Sequence, residues 1–501
     1  MDKNFYITTP IYYPSAKPHM GHAYSSIIAD FFARFKKIDG FKVHFLTGTD
    51  EHGLKIQRSA EKKGLKPLQF CDEISKTFRN LSEILNLTNT DFIRTTETRH
   101  KTSVQHLWKE LEKNDDIYLS KYSGWYSVSD EAFYSEEEIE EINGSKVATS
   151  SKSTVEWVDE ESYFFRLSKW EKPLLEFYEK NPGFISPEAR KNEVVSFVKS
   201  GLKDLSISRK SFSWGIKVPG NENHVIYVWL DALTNYISAL NYPNTKEKLF
   251  KSFWPASIHL IGKDILRFHA VYWPAFLLAA KIDLPKKVYG HGWILSGDEK
   301  MSKSKGNILD PIEIINEYGL DSLRYYLIKE VSFGNDGNIS QERLEDCINS
   351  DLANNFGNLC QRVTAFAIKN CDSKIPKKIE FNDDDYKILN NYKDNIELIR
   401  EKIDNQDINF YINFIVNSLF EANKYFNDQE PWNKKEDLLR LNTIVFTTLE
   451  IVRKVSFLLY PIIPESSIKA LKIFGINEAD INLSSLENND FLSKVDKIYK
   501  I

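Results

Sequence analysis

The chain has few cysteines, and none is spaced for a metal knuckle. Its 501 residues include four, which are Cys71, Cys347, Cys360 and Cys371. No two of them form a C-x-x-C pair, so the sequence argues against a thiolate zinc site and against a disulfide framework. Free thiols of this kind are typical of a reducing compartment. We therefore expect a cytoplasmic protein.

Long hydrophobic runs are also missing. The longest apolar stretch, 270–280, is interrupted by Pro274 and flanked by His269 and Lys281. A bilayer span needs about 20 apolar residues, so we expect no membrane segment. Met1 to Asn4 leads straight into a strand-like segment, and we expect no signal peptide before it.

The sequence has no excess of charge of either sign. Lys and Arg number 66 and Asp and Glu number 71, which gives a net charge of −5. A polyanionic partner would therefore have to be held by local patches rather than by a global basic field. The length predicts about three domains.

The first fifty residues alternate between strand and helix patterns. A buried strand is predicted at 5–9 and a second one at 42–46, and between them apolar residues recur at every fourth position: Ala23, Ile27, Phe31 and Phe35. That spacing marks one face of a helix. Strand, helix and strand in this order predict a βαβ unit with a parallel sheet.

The pattern of apolar and polar residues then changes twice along the chain. Aromatic, strand-like pieces alternate with polar turns from about 117 to 219, and the α/β pattern resumes at 225–229. This predicts a small domain inserted into a doubly wound sheet. From about 339 onward apolar residues step by three or four, which predicts a helical bundle. The predicted segments are 1–116, 117–219, 220–295, 296–340 and 341–501.

His19-Met20-Gly21-His22 stands where the first strand leads into the first helix. A helix N-terminus carries partial positive charge and free backbone N–H groups. Two imidazoles and a glycine at this position could approach a triphosphate and its ribose closely. The tetrapeptide alone is a weak signal.

A second motif, Lys300-Met301-Ser302-Lys303-Ser304, lies in a segment flanked by Gly297 and Gly306. Its two ammonium groups could hold a leaving pyrophosphate. Taken alone, the pentapeptide is more typical of a solvated loop.

Together and in this order, the two motifs resemble those of class I aminoacyl-tRNA synthetases. Further stretches, as far as about Trp432, resemble the methionyl-tRNA synthetase family: Thr8–Tyr13, Gly48–Gly53, Tyr227–Ala232, Ile261–Asp264, Phe268–His269 and His291–Trp293. The resemblance implies an α/β fold, with a doubly wound parallel-sheet (Rossmann-like) catalytic domain, a small inserted domain and an all-α helical-bundle anticodon-binding domain. Segment 296–340 would then hold the lysine motif and a region that contacts the tRNA stem.

The resemblance also implies the substrates and a methionine pocket. The chain would activate L-methionine with ATP and Mg²⁺ and transfer it to initiator and elongator tRNA(Met). The implied methionine-binding residues are Ile11, Tyr13, Asp50, Trp229, Ala232, Leu233, Tyr236, Ile265, Phe268, His269 and Trp273. A polarizable thioether gains from aromatic neighbours, and Asp50 would hold the substrate ammonium group.

The implied ATP-binding residues come from four segments: His19, Gly21, His22, Lys263, Asp264, His291, Gly292, Trp293, Ile294, Lys300 and Lys303. Among them, His19, His22, Lys300 and Lys303 are the expected catalytic groups. His52 is also a candidate, with a purely structural hydrogen bond as the equal alternative.

Three residues of the helical region match family positions that contact the CAU anticodon. Asn358 and Arg362 are four residues apart, so they share one helix face. Trp432 follows Pro431 at a predicted helix break. Unstacked bases are recognised through polar edges and aromatic stacking, which suits these side chains.

Three other hypotheses remain open. A class I enzyme for leucine, isoleucine or valine would carry a larger editing insert than 117–219, and one for cysteine would hold zinc near its pocket. A non-catalytic tRNA-binding relative would tolerate loss of the histidine or lysine motif, and both are intact. A small nucleotidylyltransferase can share the histidine motif but is shorter and has no helical tail.

The sequence departs from many family members in the insert, where cysteine knuckles hold zinc. Ser127 and Asp130 stand where a C-x-x-C would fall, and one carboxylate cannot complete a tetrahedral site. The chain also ends soon after the predicted bundle, so we expect a monomer without an appended dimerising domain.

We predict that the purified protein binds no zinc. Metal analysis by mass spectrometry is expected to give well under one zinc per chain, and near-stoichiometric zinc would contradict the prediction.

Overall fold

The computed structural model describes residues 3–14, 17–130, 132–296, 299–300 and 310–499, with the backbone alone at 132, 133, 296, 299 and 300. The chain forms two compact units. The sheet unit comprises the described residues of 4–18 and 44–291. The helical unit comprises those of 1–3, 19–43 and 292–501.

The strands of the described residues are, in chain order, β1 Asn4–Tyr12, β2 Lys42–Thr49, β3 Asp91–Arg94, β4 Ile117–Ser127, β5 Ala132–Tyr134, β6 Ile139–Ile142, β7 Ser145–Ala148, β8 Glu156–Phe165, β9 Ile185–Ser186, β10 Leu205–Ser206, β11 Ser208–Arg209, β12 Lys217–Val218, β13 Asn221–Ile226, β14 Ile258–Gly262, β15 Val288–His291, β16 Ile294–Ser296, β17 Glu299–Lys300 and β18 Gly337–Asn338.

The α-helices of the same residues are α1 Met20–Ile38, α2 Leu54–Lys62, α3 Pro67–Ile84, α4 Thr98–Lys113, α5 Glu171–Lys180, α6 Glu188–Lys199, α7 Val228–Leu233, α8 Asn235–Ser238, α9 Lys248–Phe253, α10 Trp273–Ala279, α11 Pro311–Tyr318, α12 Leu320–Glu330, α13 Gln341–Cys347, α14 Asn358–Asn370, α15 Asp383–Asp404, α16 Ile408–Asp428, α17 Leu438–Leu459 and α18 Pro464–Lys472. No helix among the described residues is both long enough and apolar enough to cross a membrane.

A six-stranded sheet organises the sheet unit, in the order β3-β2-β1-β14-β15-β9. β2 pairs with β3 in parallel, and β1, β14, β15 and β9 pair in parallel with one another. From β1 the chain continues to β2 on one side, whereas β14 lies on the other side. This reversal of direction confirms the predicted doubly wound α/β architecture and creates a switch point between β1 and β14.

The segment predicted as an insert contains a second, antiparallel sheet in the order β10-β8-β4-β5. Its longest pairing joins β4 and β8 from Ile117 opposite Phe165 to Tyr126 opposite Glu156. The same segment also supplies β9, the edge strand of the parallel sheet. The apolar run at 225–229 divides between strand and helix, because β13 ends at Ile226 and α7 begins at Val228.

The helical unit contains the C-terminal helices together with α1. The long helix predicted from the apolar stripe begins at Gln341 and continues to Asn370, with a π-helical stretch at Ile348–Gly357. After α18, the tail folds back onto α17. Lys454 on that helix donates from Nζ to the Leu486 carbonyl and the Asn489 side chain, both at 2.7 Å.

A buried ionic cluster joins α1 to α12. The Asp30 carboxylate accepts from Arg34 Nε and from Arg324 Nη2, each at 2.7 Å. All three side chains are at most 2% exposed. Arg324 Nε also donates to the Ile462 carbonyl at 2.8 Å, so the cluster extends beyond α17. Removing one member of such a cluster leaves a buried charge without its partner.

We expect Asp30→Asn to lower the free energy of unfolding by about 3–5 kcal/mol, because both guanidinium groups lose a buried counter-charge. The control is Asp496→Asn, which breaks an exposed pair with Lys377 at 3.3 Å and should cost about 1 kcal/mol or less. Urea unfolding followed by circular dichroism measures both. Equal destabilisation by the two substitutions would contradict a stabilising role for the cluster.

Candidate active site

The predicted pocket residues follow the carboxyl ends of the parallel strands. Tyr13 follows β1, Asp50 follows β2, Lys263 and Asp264 follow β14, and His291 ends β15. Strands that run in parallel deliver these side chains to one edge of the sheet. Open α/β sheets bind ligands in the crevice at such a switch point.

Helical segments beyond the strands carry the remaining residues of the predicted pocket. Trp229, Ala232 and Leu233 lie on α7, Tyr236 on α8, Ile265 at the end of the 3₁₀ turn Lys263–Ile265, Phe268 and His269 in the π-helical turn Phe268–Tyr272, and Trp273 at the start of α10. π-helical turns occur frequently at functional sites because they shift one side chain out of α-helical register.

The rings of Trp229, Tyr236, Phe268 and Trp273 belong to one aromatic cluster around His269, which we call the cage. The Trp229 and Phe268 rings stack with centroids 3.7 Å apart and an interplanar angle of 8°. Tyr236 lies 6.1 Å from Trp273, between centroids. Ile11 and Tyr13 are partly buried and pack against the same core. Such a cage is suited to an apolar, polarizable ligand group.

One hydrogen-bond chain fixes where the protons in this cage lie. His269 Nδ1 is 2.9 Å from the Ile265 carbonyl oxygen, so this nitrogen carries a proton and donates. Burial lowers the pKa of His269 to about 4, although the Ile265 carbonyl and Asp264 oppose the shift. The ring is therefore neutral at pH 7, and Nε2 accepts from the Tyr236 hydroxyl at 2.7 Å. The Tyr236 hydroxyl therefore carries the only proton of this pair that can rotate toward another acceptor.

The loop 50–53 after β2 is held by hydrogen bonds from several segments. The Asp50 N–H donates to the Tyr12 carbonyl at 2.9 Å. The Tyr13 hydroxyl donates to the His52 carbonyl, also at 2.9 Å. His52 Nδ1 donates to the Asp231 carboxylate at 2.6 Å. The structure therefore gives His52 a structural partner within the sheet unit.

The histidine motif begins α1 in the helical unit. His19 is the N-cap residue and accepts from the Gly21 N–H through Nδ1 at 3.1 Å, while His22 Nδ1 accepts from the His19 N–H at 3.1 Å. A Cβ at position 21 would lie 3.0 Å from the His19 ring. Glycine therefore leaves room for the capping imidazole.

This reciprocal capping determines which ring nitrogens can donate a hydrogen bond to a ligand. Burial lowers the pKa of His22 well below its usual value, and the neighbouring His19 lowers it further. In the neutral ring, Nδ1 accepts and Nε2 carries the proton. The His22 side chain is therefore a hydrogen-bond donor rather than a cation at the helix N-terminus.

The hairpin that leads into the lysine motif contacts α1 within the helical unit. β16 pairs with β17 in antiparallel fashion and contacts α1. The Trp293 N–H donates to Asp336 at 2.8 Å. A Cβ on Gly292 would lie 2.1 Å from the Asn335 carbonyl oxygen, so only glycine fits there. The backbone of Lys300 belongs to β17, whereas Lys303 lies outside the described residues.

The other nucleotide-side candidates lie after β14, at the end of β15 and at the start of β16. Lys263 is half-buried and Asp264 is exposed in the turn after β14. A Cβ on Gly262 would lie 2.6 Å from Asp264 Oδ1. His291 is 5% exposed at the end of β15, and Ile294 begins β16 in the helical unit.

Two of the three anticodon candidates, Arg362 and Trp432, lie against one buried ring, that of Phe426. Asn358 and Arg362 are exposed on α14, and Arg362 Nη2 donates to Asn427 Oδ1 at 2.6 Å. The Arg362 guanidinium lies 5.6 Å from the Phe426 ring centroid, and Trp432 lies 6.2 Å from the same ring at 72°. Trp432 is 41% exposed. The sequence alone offered no signal for Asn427, which lies on another helix.

In the insert, hydrogen bonds surround the aspartate at the knuckle position. The Asp130 carboxylate accepts from the Tyr134 hydroxyl at 2.7 Å, from the Ser151 hydroxyl at 2.5 Å and from the Ser153 hydroxyl at 2.8 Å. Among the residues that the structure describes, no group of three or more His, Cys, Asp or Glu side chains could hold a metal ion. The absence of zinc stays a prediction.

The comparisons with a family model and with individual proteins agree on one family. The family model for class I (M) tRNA synthetases matches residues 5–145 and 141–364. The methionine–tRNA ligase of Brucella suis is 50% identical over 476 residues, which cover 95% of this chain and 92% of that protein. That of Rickettsia felis is 50% identical over 487 residues, covering 96% and 94%.

The fold matches a solved structure along its whole length. The structure of Mycobacterium tuberculosis methionyl-tRNA synthetase in complex with methionyl-adenylate superposes with a TM-score of 0.97 and 43% identity, covering 100% of this chain and 99% of that chain. The apo form of the same enzyme gives a TM-score of 0.90 at 40% identity, covering 100% and 97%.

Proposed function

Because the chain belongs to the methionyl-tRNA synthetase family of class I aminoacyl-tRNA synthetases, we propose how its own residues carry out the family's reaction. The chain activates L-methionine with ATP to form methionyl-adenylate and pyrophosphate, and then transfers methionine to the 3′-terminal ribose of tRNA(Met). The observation that carries the proposal is the aromatic cage with the Tyr236–His269 pair at the strand ends.

The sheet unit binds methionine. The Asp50 carboxylate holds the substrate ammonium group through charge-assisted hydrogen bonds. The thioether lies in the cage formed by Trp229, Tyr236, Phe268 and Trp273. When methionine binds, the Tyr236 hydroxyl turns its one proton from His269 Nε2 to the sulfur and donates a weak hydrogen bond there. The shape of the pocket and recognition of the sulfur must act together, because a difference of one methylene between two amino acids changes their relative binding by only about 1–3 kcal/mol.

The nucleotide is bound by groups that suit phosphate oxygens. His19 and His22 offer Nε2–H donors, and Gly21 permits a close approach at the start of α1. Lys263 and Asp264 lie near the adenylate, and the segment 291–294 packs against adenine. Lys300 and Lys303 hold the pyrophosphate, which leaves with its Mg²⁺. ATP enters as its magnesium complex.

Activation needs no enzyme nucleophile. The methionine carboxylate attacks the α-phosphorus in line, the bond to the bridging oxygen breaks, and pyrophosphate leaves with the electron pair. Charge develops on the phosphate oxygens, so positioned donors and cations lower the barrier. The terminal ribose 2′-hydroxyl then attacks the acyl carbon, and AMP leaves.

The helical unit selects the tRNA. Asn358 and Arg362 hydrogen-bond to base edges of the CAU anticodon, and the exposed ring of Trp432 stacks on a base. Initiator and elongator tRNA carry the same anticodon, so both are substrates. We further propose that the protein acts as a cytoplasmic monomer, which light scattering on the purified chain would test.

We predict that methionine, but not leucine, isoleucine, valine or cysteine, supports exchange of labelled pyrophosphate into ATP. Exchange with one of the other amino acids alone would contradict the proposed specificity.

Tyr236→Phe should lower the preference for methionine over norleucine by about fivefold, because the lost hydrogen bond contributes about 1 kcal/mol. Tyr118→Phe is the control, since that hydroxyl donates to Asp204 within the insert. An unchanged preference in Tyr236→Phe would contradict sulfur recognition by this hydroxyl.

We also predict that Trp432→Ala weakens discrimination between tRNA transcripts with CAU and altered anticodons by about tenfold, because base stacking contributes about 1–3 kcal/mol. Pyrophosphate exchange should change little, since that reaction needs no tRNA. Trp157→Ala, at a tryptophan that is 53% exposed, is the control. Loss of exchange and charging together in Trp432→Ala would identify a folding residue instead.

A further inference from the structure

The aspartate of the Trp229-Leu230-Asp231-Ala232 motif has no part in the reaction described above, although its side chain is 0% exposed. It lies on α7, between the residues that line the methionine cage. Each of its carboxylate oxygens accepts a hydrogen bond from a different histidine. Oδ2 accepts from His52 Nδ1 at 2.6 Å, and Oδ1 accepts from His100 Nε2 at 2.7 Å.

These contacts join four segments of the sheet unit. His52 belongs to the loop 50–53, which carries Asp50, and Asp231 belongs to α7, which carries Trp229. His100 belongs to α4, and its Nδ1 is 2.8 Å from the Ser238 hydroxyl at the end of α8. The loop that would hold the substrate ammonium group therefore meets α7, which carries Trp229, at one buried carboxylate. His100 links the same carboxylate to α8, which carries Tyr236.

The electrostatics of the cluster make the bridge strong. Burial alone would raise the pKa of Asp231, but His52 and His100 outweigh burial and lower the pKa to about 2. The carboxylate is therefore an anion at neutral pH, and both imidazoles must present N–H groups to it. Hydrogen bonds to a buried anion are stronger than those between neutral groups.

We propose that Asp231 is a positioning residue for methionine, which sets the loop 50–53 at a fixed distance from α7 through His52 and ties α7 to α4 and α8 through His100. This inference rests on the proposed function, because it assigns Asp231 an effect on the ammonium-binding residue Asp50. Asp231 itself touches neither substrate. The substrate's ammonium group and side chain are bound by different segments, so a shift of one relative to the other weakens methionine binding and leaves ATP binding unchanged.

The first test compares Asp231→Asn with a matched substitution elsewhere in the sheet unit. Asn presents one acceptor oxygen and one N–H₂ group, so one histidine faces a donor instead of an acceptor. We expect the KM for methionine in pyrophosphate exchange to rise about tenfold or more, with the KM for ATP within about twofold of wild type. The control is Asp116→Asn, at an aspartate that is 1% exposed and accepts from Lys169 at 2.7 Å; it should leave both constants unchanged.

The second test uses the two histidines and stays informative if Asp231→Asn fails to fold. The side-chain amide nitrogen of Asn lies near the position of an imidazole Nδ1, and that of Gln lies near Nε2. Since His52 donates through Nδ1 and His100 through Nε2, His52→Asn and His100→Gln should retain methionine affinity. His52→Gln and His100→Asn should lose it by about tenfold. Equal behaviour of Asn and Gln at both positions would overturn the proposal.

The third test asks whether Asp231 acts through Asp50. Binding of radiolabelled methionine is measured by equilibrium dialysis for the wild type, Asp50→Asn, Asp231→Asn and the double variant. We expect Asp231→Asn to weaken binding in the wild type and to have little further effect when Asp50 is already changed. Additive losses, or parallel rises in both KM values, would overturn the proposal. Absence of methionine-dependent exchange in the wild type would instead refute the proposed function, so the two failures are distinguishable.

Discussion

The structure depends on a constraint of parallel sheets, which place the carboxyl ends of their strands at one edge. β1, β2, β14 and β15 all belong to such a sheet, and each delivers a polar or aromatic residue to the segment that follows it. The reversal of strand order between β1 and β14 opens a crevice there. The pocket is therefore assembled from Tyr13, Asp50 and the helices after β13 and β14, which are far apart in sequence.

In this pocket, the positions of the protons on the histidine and tyrosine side chains determine ligand binding more than the net charge does. Burial keeps His269 neutral, and the bond from its Nδ1–H to the Ile265 carbonyl fixes its tautomer, so the Tyr236 hydroxyl carries the proton that can turn toward a ligand. His22 is neutral as well, and donates from a helix N-terminus. A thioether is uncharged, so its pocket gains from neutral donors and aromatic faces. The buried Asp231 carboxylate is matched by two imidazole N–H groups.

Much of the fold and of the candidate site could be predicted from the sequence, because the signals are local. The βαβ pattern, the glycine between two histidines and the stripe of the long C-terminal helix each lie within a short window. The π-helical stretch at Ile348–Gly357 was not predicted, since apolar steps of three and four residues describe α- and π-helical turns alike.

Pairings between distant residues could not be predicted. Asp231 and His100 are 131 positions apart, and Asp30 and Arg324 are 294 apart. Neither pair carries a periodic or compositional signal. Arg362 was recognised as a candidate from the family resemblance, but its partner Asn427 became visible only when α14 and α16 were packed together. Tertiary packing, and not local propensity, decides which polar side chains satisfy one another inside the protein.

The most direct test of the central claim is a crystal structure of the chain bound to a non-hydrolysable methionyl-adenylate analogue. The account predicts the substrate ammonium group within hydrogen-bond distance of the Asp50 carboxylate, about 2.7–3.2 Å, and the sulfur against the Tyr236 hydroxyl, in contact with the aromatic cage. An ammonium group bound elsewhere, or a methionine side chain outside that cage, would contradict it.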